Sequence, residues 1–189
     1  MEIFITRHGQ TGWNVLGKMQ GKTDIELNDV GRGQARETGE LIKDKKIDLI
    51  ITSPLKRTKE TAEIINENFD VKIIEDDRLM ERGYGTFEGM TKEDRQELKE
   101  KYPEIKYIWS YNQNIKFQDV EPMREFCIRI YSLLDEVVEK YKDKNVLLVT
   151  HGGTSVPIKF YFMKLSLDKL DENNEIKGLN NCEVISFNI

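Results

Sequence analysis

Asn145-Val146-Leu147-Leu148-Val149-Thr150-His151-Gly152-Gly153 is the stretch that decides the architecture. A short, unbroken apolar run closed by a turn signal reads as a strand buried on both faces. The same pattern opens the chain, where Ile3-Phe4-Ile5-Thr6 runs into Arg7-His8-Gly9. Leu49-Ile50-Ile51-Thr52 stops at Ser53-Pro54, Val71-Lys72-Ile73-Ile74 is a weaker run, and Val184-Ile185-Ser186-Phe187 closes the chain.

Helical patterns lie between these runs. Asn28-Asp29 can cap a helix from about Val30 to Lys45, with Ala35, Leu41 and Ile42 on one face. A second pattern, Thr58 to Asn66, carries Ala62, Ile64 and Ile65. The longest, Glu121 to Lys140, sets Phe126, Ile130, Leu133, Leu134 and Val137 at helical spacings, and Pro122 suits its first turn. Strands alternating with helices predict an α/β protein: a three-layer αβα sandwich with a mostly parallel central sheet and helices on both faces. No repeat, low-complexity tract or Pro/Gly-rich linker interrupts the chain, so residues 1–189 read as one domain. Residues 91–118 are polar but dotted with Tyr102, Tyr107, Trp109, Tyr111 and Phe117, which need something to pack on. The segment is expected to be a helical lid insertion that sets substrate specificity.

The 189 residues carry 29 Lys+Arg against 34 Asp+Glu, a net charge of −5, with 38 % hydrophobic residues. An acidic balance argues against a nucleic-acid partner, because phosphate-backbone binding needs a basic excess. Cys127 and Cys182 are isolated, which argues against a disulfide scaffold or a structural zinc site. The first residues have neither a basic nor a long apolar region, and no stretch approaches 18 uninterrupted apolar residues. These features lead to the expectation of a soluble cytoplasmic protein without a membrane partner. Nothing in them bears on oligomeric state.

The chain has two histidines, His8 and His151, each directly after a buried-strand pattern and each followed by glycine. In an open α/β sheet the C-terminal strand ends form the ligand crevice. Ser53-Pro54-Leu55-Lys56-Arg57-Thr58 follows another strand, and Leu79-Met80-Glu81-Arg82-Gly83 is expected at a fourth strand end. One crevice could thus gather two imidazoles, up to three guanidinium groups (Arg7, Arg57, Arg82) and a carboxylate. A guanidinium fork binds phosphate oxygens in bidentate fashion, and Gly9, Gly12 and Gly152 would let backbone N–H groups approach an anion. A two-histidine metal site is disfavoured, because arginine beside the histidines would repel a cation.

Arg7-His8-Gly9-Gln10-Thr11 with Trp13-Asn14 resembles the signature of the histidine phosphatase (phosphoglycerate mutase-like) superfamily. The resemblance continues in order through Gln20-Gly21, Leu27-Asn28, Ser53-Pro54-Leu55-x-Arg57-Thr58, Leu79-x-Glu81, Phe87-Glu88-Gly89 and Val149-Thr150-His151-Gly152-Gly153. It implies phosphoryl transfer through a phosphohistidine. His8 would attack phosphorus in line as a covalent nucleophile. Arg7, Arg57 and His151 would hold the phosphoryl oxygens, with Asn14, Gln20, Gly21 and Gly152 completing the phosphate site. Glu81 would protonate the leaving alcohol and later take a proton from water. Glu88 is a weaker candidate for that acid, since its place after Phe87 fits a structural turn. No metal and no cofactor are implied, and the partner is a small phosphorylated metabolite.

Within that family, Glu81-Arg82-Gly83-Tyr84-Gly85 and Gly89-Met90-Thr91-Lys92 resemble the cofactor-dependent phosphoglycerate mutases. Those enzymes carry an Arg-Arg pair after a Trp in the inserted segment. Here Trp109 is followed by Ser110-Tyr111. Val149-Thr150-His151-Gly152-Gly153 and the Glu121…Glu125…Arg129 spacing resemble the phosphatase branch. The expectation is therefore a metal-independent histidine acid-type phosphatase. A mutase is the alternative within the enzymes, and a catalytically silent phosphate-binding domain is the alternative outside them.

Overall fold

Five strands form where the apolar runs lie: β1 (Glu2–Arg7), β2 (Leu49–Thr52), β3 (Ile73–Glu75), β4 (Val146–Thr150) and β5 (Val184–Asn188). The structure, a computed structural model, describes residues 1–173 and 175–189. The strand order is β3-β2-β4-β1-β5. β1 and β2 both pair parallel with β4, and β3 pairs parallel with β2, whereas β5 runs antiparallel on the β1 edge.

The sheet's two faces make two cores, as the period of two along a strand requires. Ile3, Ile5, Leu49, Ile51, Val146 and Leu148 face α5 (Met123–Lys140) and α6 (Gly152–Phe162). Phe4, Ile50, Leu147 and Val149 face α2 (Asp29–Ile42) and α3 (Lys56–Asn66), meeting Ile42, Ala62 and Ile65. Each fully buried aliphatic side chain contributes about 1.5–3 kcal/mol. The result is the expected three-layer αβα sandwich with a mostly parallel sheet.

Register positions the chemistry. Arg7 stands opposite Thr150 and Thr52 opposite Val149, so β1 and β4 end level and β2 ends one residue before them. The next residues, His8, His151 and Ser53, therefore leave the sheet side by side.

Boundaries differ from the sequence expectation where charge replaces an apolar stripe. α2 is capped by the Asn28 side chain as expected, but ends at Ile42 rather than Lys45, because Lys43, Asp44 and Lys45 have nothing to bury. The long helix begins at Met123, with Pro122 at its cap. The short helix α1 (Gly12–Val15) and the 11-residue α6 are additions that the sequence reading did not anticipate. Gly152, Gly153 and Pro157 all read locally as breakers, yet α6 buries Thr154, Ile158 and Phe160 against the sheet.

Residues 91–118 contain α4 (Lys92–Lys101) and a 3₁₀ turn at Pro103–Trp109. Their aromatic and aliphatic residues close on a separate apolar cluster of Phe87, Ile105, Ile108, Phe117 and Val120. Among the described residues no helix is long and apolar enough to cross a membrane.

Candidate active site

His8 is 2 % exposed, and its backbone N–H donates to the Thr150 carbonyl at 2.9 Å. Its ring Nδ1 lies 2.7 Å from the Gly9 carbonyl, which can only accept. Nδ1 therefore carries the proton, and Nε2 holds a free lone pair. Burial, then the Arg57 and Arg7 charges, push the imidazole pKa well below its usual value, so the ring is neutral at pH 7.

His151 lies beside it, with ring centroids 5.3 Å apart and planes at 62°. It is fully buried, and burial followed by the Arg57 charge holds it neutral as well. Arg57 Nε donates to His151 Nδ1 at 3.3 Å, and His151 Nε2 meets Ser53 Oγ at 2.9 Å.

Arg57, at the start of α3, is fully buried and extends its other two nitrogens to the Thr23 and Gly21 carbonyls at 2.9 and 2.7 Å. Burial pushes its pKa down to about 10, opposed first by the Glu81 carboxylate, and it stays a cation at neutral pH. Arg7 donates through Nη1 to the Leu179 carbonyl at 3.1 Å, while its buried Nε has no partner. A buried guanidinium N–H without an acceptor suits an incoming anion.

Glu81 is 8 % exposed and faces the N-terminus of α6. Its Oε2 accepts Gly153 N–H at 2.9 Å, and its Oε1 accepts Arg82 N–H at 2.9 Å and the Thr154 hydroxyl at 3.3 Å. A Cβ on Gly153 would sit 2.5 Å from Oε1, so any side chain there must push the carboxylate from its place. Gly152 is less demanding: a Cβ there would touch the Arg7 guanidinium at 3.4 Å, an ordinary contact.

The remaining expected positions divide. Asn14 joins Thr11 in a capping box at α1 and is tied to the His8 loop by Asn181, whose Nδ2 reaches the His8 carbonyl at 2.9 Å and Asn14 Oδ1 at 3.4 Å. Gln20 is buried with Oε1 unpartnered. Gly21 has φ +55°, and its missing Cβ leaves room for the Glu88 carboxylate.

Arg82 does not join the cluster, contrary to the three-guanidinium expectation. It donates to the Glu121 and Ile108 carbonyls at 2.7 and 2.6 Å and lies against the Trp109 ring, bracing the inserted segment. Glu88 accepts from Lys22, Thr23 and Tyr84 backbone N–H groups, which makes it the organiser of the 20–23 loop. Gly9 packs against the Gly31 backbone and donates its N–H to Thr61 Oγ1 at 3.1 Å, and Gly12 has open space around it.

Asn181 is a contributor that sequence reasoning missed, as were the bonding roles of Ser53 and Arg129. Arg129 of α5 fans onto the Arg78, Met80 and Glu81 carbonyls at 2.7, 2.9 and 3.1 Å and pairs with Glu121 at 2.7 Å. The Glu121…Arg129 spacing was visible, but its target was not. Among the described residues no cluster of three or more His, Cys, Asp or Glu side chains could hold a metal ion.

The chain is similar to proteins named as phosphatases and as phosphoglycerate mutases. An uncharacterised phosphatase, PhoE, of Bacillus subtilis is 46 % identical over 151 residues, 80 % of this chain and 72 % of that protein. Phosphoserine phosphatase 1 of Hydrogenobacter thermophilus is 31 % identical over 166 residues, 87 % of this chain and 76 % of that one. Proteins named as phosphoglycerate mutases match as well. Among solved structures, a mycobacterial glucosyl-3-phosphoglycerate phosphatase in complex with VO3 superposes with a TM-score of 0.83 at 27 % identity, covering 98 % of this chain and 91 % of its own. The family model for the histidine phosphatase superfamily (branch 1) matches residues 3–189. The likeness runs the length of the chain, which belongs to the histidine phosphatase superfamily, branch 1.

Proposed function

We propose that this protein is a metal-independent phosphomonoesterase that hydrolyses a small phosphorylated metabolite through a phosphohistidine on His8. The observation that carries the reading is the His8 tautomer: with Nδ1–H committed to the Gly9 carbonyl, the Nε2 lone pair is free beside Arg7 and Arg57. Nε2 attacks phosphorus as the P–O bond to the alcohol breaks, and Glu81 supplies the proton that the alkoxide needs. Water then attacks the phosphohistidine, giving its proton to Glu81, and the N–P bond breaks to release phosphate. Arg7 and Arg57 offset the phosphoryl charge in both steps, the role a metal fills elsewhere. Asn14, Gln20, Gly21 and Gly152 complete the phosphate site, and His151 contributes to it through its bond with Arg57.

Within one domain spanning 1–189, residues 91–118 serve as the lid that selects the substrate, with Trp109 37 % exposed beside Tyr84. A cytoplasmic setting fits the two cysteines, both free. The mutase alternative is disfavoured by the residues after Trp109. Ser110 Oγ and Tyr111 N–H both bond Asp171 at 2.6 Å, where a mutase carries its arginine pair.

Rapid-quench labelling with a ³²P-labelled phosphomonoester tests the reading. A base-stable, acid-labile adduct that His8→Ala abolishes is expected, with turnover unaffected by EDTA and independent of 2,3-bisphosphoglycerate. Label surviving in His8→Ala, or turnover lost to chelation and restored by Mg²⁺, would sink it. In single turnover, Glu81→Gln should slow an alkyl phosphate by about 10²–10⁴-fold and p-nitrophenyl phosphate far less. Equal losses on both would remove Glu81 as the acid.

A further inference from the structure

We propose that Ser53 is a positioning residue: its hydroxyl oxygen holds His151 in the Nε2–H tautomer that turns Nδ1 toward Arg57 and so aims the Arg57 guanidinium. Four observations carry this. Arg57 Nε–H can only donate, so Nδ1 at 3.3 Å must accept. A neutral imidazole then carries its single proton on Nε2, and the atom facing it at 2.9 Å is Ser53 Oγ. The opposite tautomer would set Nδ1–H against Nε–H. Ser53, Arg57 and His151 are each 0 % exposed, so bulk water is not at hand to replace a lost partner.

Ser53 is itself held by the sheet. Its N–H donates to the Val149 carbonyl at 3.2 Å, and its own carbonyl accepts the Thr52 and Thr58 hydroxyls at 3.1 and 2.9 Å. The adjacent ends of β2 and β4 thus place a hydroxyl against the ring, and the ring takes one of the three bonds that orient Arg57. The other two go to the Gly21 and Thr23 carbonyls, in the loop after α1. Without the serine oxygen, Nε2–H is a buried donor with no acceptor. The ring then turns to find one, and the guanidinium loses a support.

His8 carries the opposite tautomer, with Nδ1–H bound to the Gly9 carbonyl. The two rings thus have different jobs: His8 presents a lone pair, and His151 transmits the position of Ser53 to Arg57. The tautomer assignment stands on geometry alone, whereas its consequence for turnover rests on the phosphatase reading above.

The test exploits a chain with only two histidines. Long-range ¹H–¹⁵N correlation of the ¹⁵N-labelled protein near neutral pH gives two imidazole spin systems, assigned with His8→Asn. The expected result is Nδ1–H for His8 and Nε2–H for His151, with a slowly exchanging His151 proton. Ser53→Ala should lose that proton to exchange and lower kcat/KM by about 10- to 100-fold, mainly in kcat, as misplacement of a catalytic group does. Ser53→Thr, which keeps the hydroxyl, should retain the proton and recover most of the rate. An Nδ1–H or doubly protonated His151 in the wild type overturns the proposal. So does Ser53→Ala with full activity and an undisturbed His151 proton. If Ser53→Thr does not fold, the wild-type tautomer and Ser53→Ala decide the matter. A protein that shows the expected tautomers but forms no phosphohistidine would instead overturn the phosphatase reading.

Discussion

At neutral pH His8 and His151 of the free protein are neutral rings near two guanidinium groups, and that has a measurable signature. Burial and the arginine charges set both folded-state pKa values well below 6.5, the value in the unfolded chain. Above pH 6.5 both states hold neutral imidazoles and the stability is fully present. As the pH falls below 6.5, the unfolded chain takes up protons that the folded one cannot. Stability is then lost at about 1.4 kcal/mol per pH unit for each histidine, until the folded-state pKa is reached. Urea unfolding between pH 7 and pH 5 should show this slope, and His8→Asn with His151→Asn should flatten it. Under the phosphatase reading the same depression keeps Nε2 nucleophilic in mild acid, so the acid limb of kcat/KM is expected well below pH 6.5. A limb at 6.5 in a pH–rate profile would contradict the burial of His8.

At the scale of elements, the site depends on helices that reach it from both layers. α3 delivers Arg57, α6 delivers the Gly153 N–H that holds Glu81, and α5 secures the Glu81 loop through Arg129. Arg129→Ala removes donors from three carbonyls and leaves the Glu121 carboxylate, 14 % exposed, without its guanidinium. A loss of about 2–4 kcal/mol is expected, from several unmade bonds of about 1–3 kcal/mol discounted for partial exposure. For a chain of this length that lowers Tm by about 4–16 °C in a thermal melt. Arg129→Lys keeps the charge without the planar fork and should lie between. Gly153→Ala tests the other side of Glu81, since the added methyl must displace the carboxylate. Its expected effect is a loss of activity on alkyl phosphates larger than that on p-nitrophenyl phosphate, with the fold intact by circular dichroism.

The whole molecule carries a net charge of −5, yet presents two guanidiniums at one end of its sheet. Local focusing in the crevice, rather than overall charge, is what an anion meets. Inorganic phosphate or vanadate bound there stabilises only the folded state. At a hundred times its Kd it should add about 2.7 kcal/mol, raising Tm by about 5–11 °C. Arg57→Gln should abolish most of that shift, and added salt should shrink it. An equal shift in Arg57→Gln would place the anion elsewhere on the molecule.

Much of this was legible in the sequence, because its signals were local. Five apolar runs became the five strands, and the residues just beyond β1 and β4 became the paired histidines. Continuous burial needs continuous hydrophobicity, and that survives in one dimension. The breakers misled at α6, where packing against the sheet overrides Gly152, Gly153 and Pro157. Arg82 misled too, since a guanidinium beside Glu81 in sequence turns away from it in space to meet the Ile108 carbonyl. His151 lies 98 residues from Ser53, His8 lies 173 from Asn181, and the three carbonyls that Arg129 meets lie 48 to 51 residues from it. The sequence by itself determined which residues could do chemistry and which strand ends would carry them. Tertiary structure alone decided which nitrogen of His151 holds its proton, because a tautomer is set by the partner each nitrogen meets, and only the pairing of β2 with β4 brings His151 to Ser53 and Arg57.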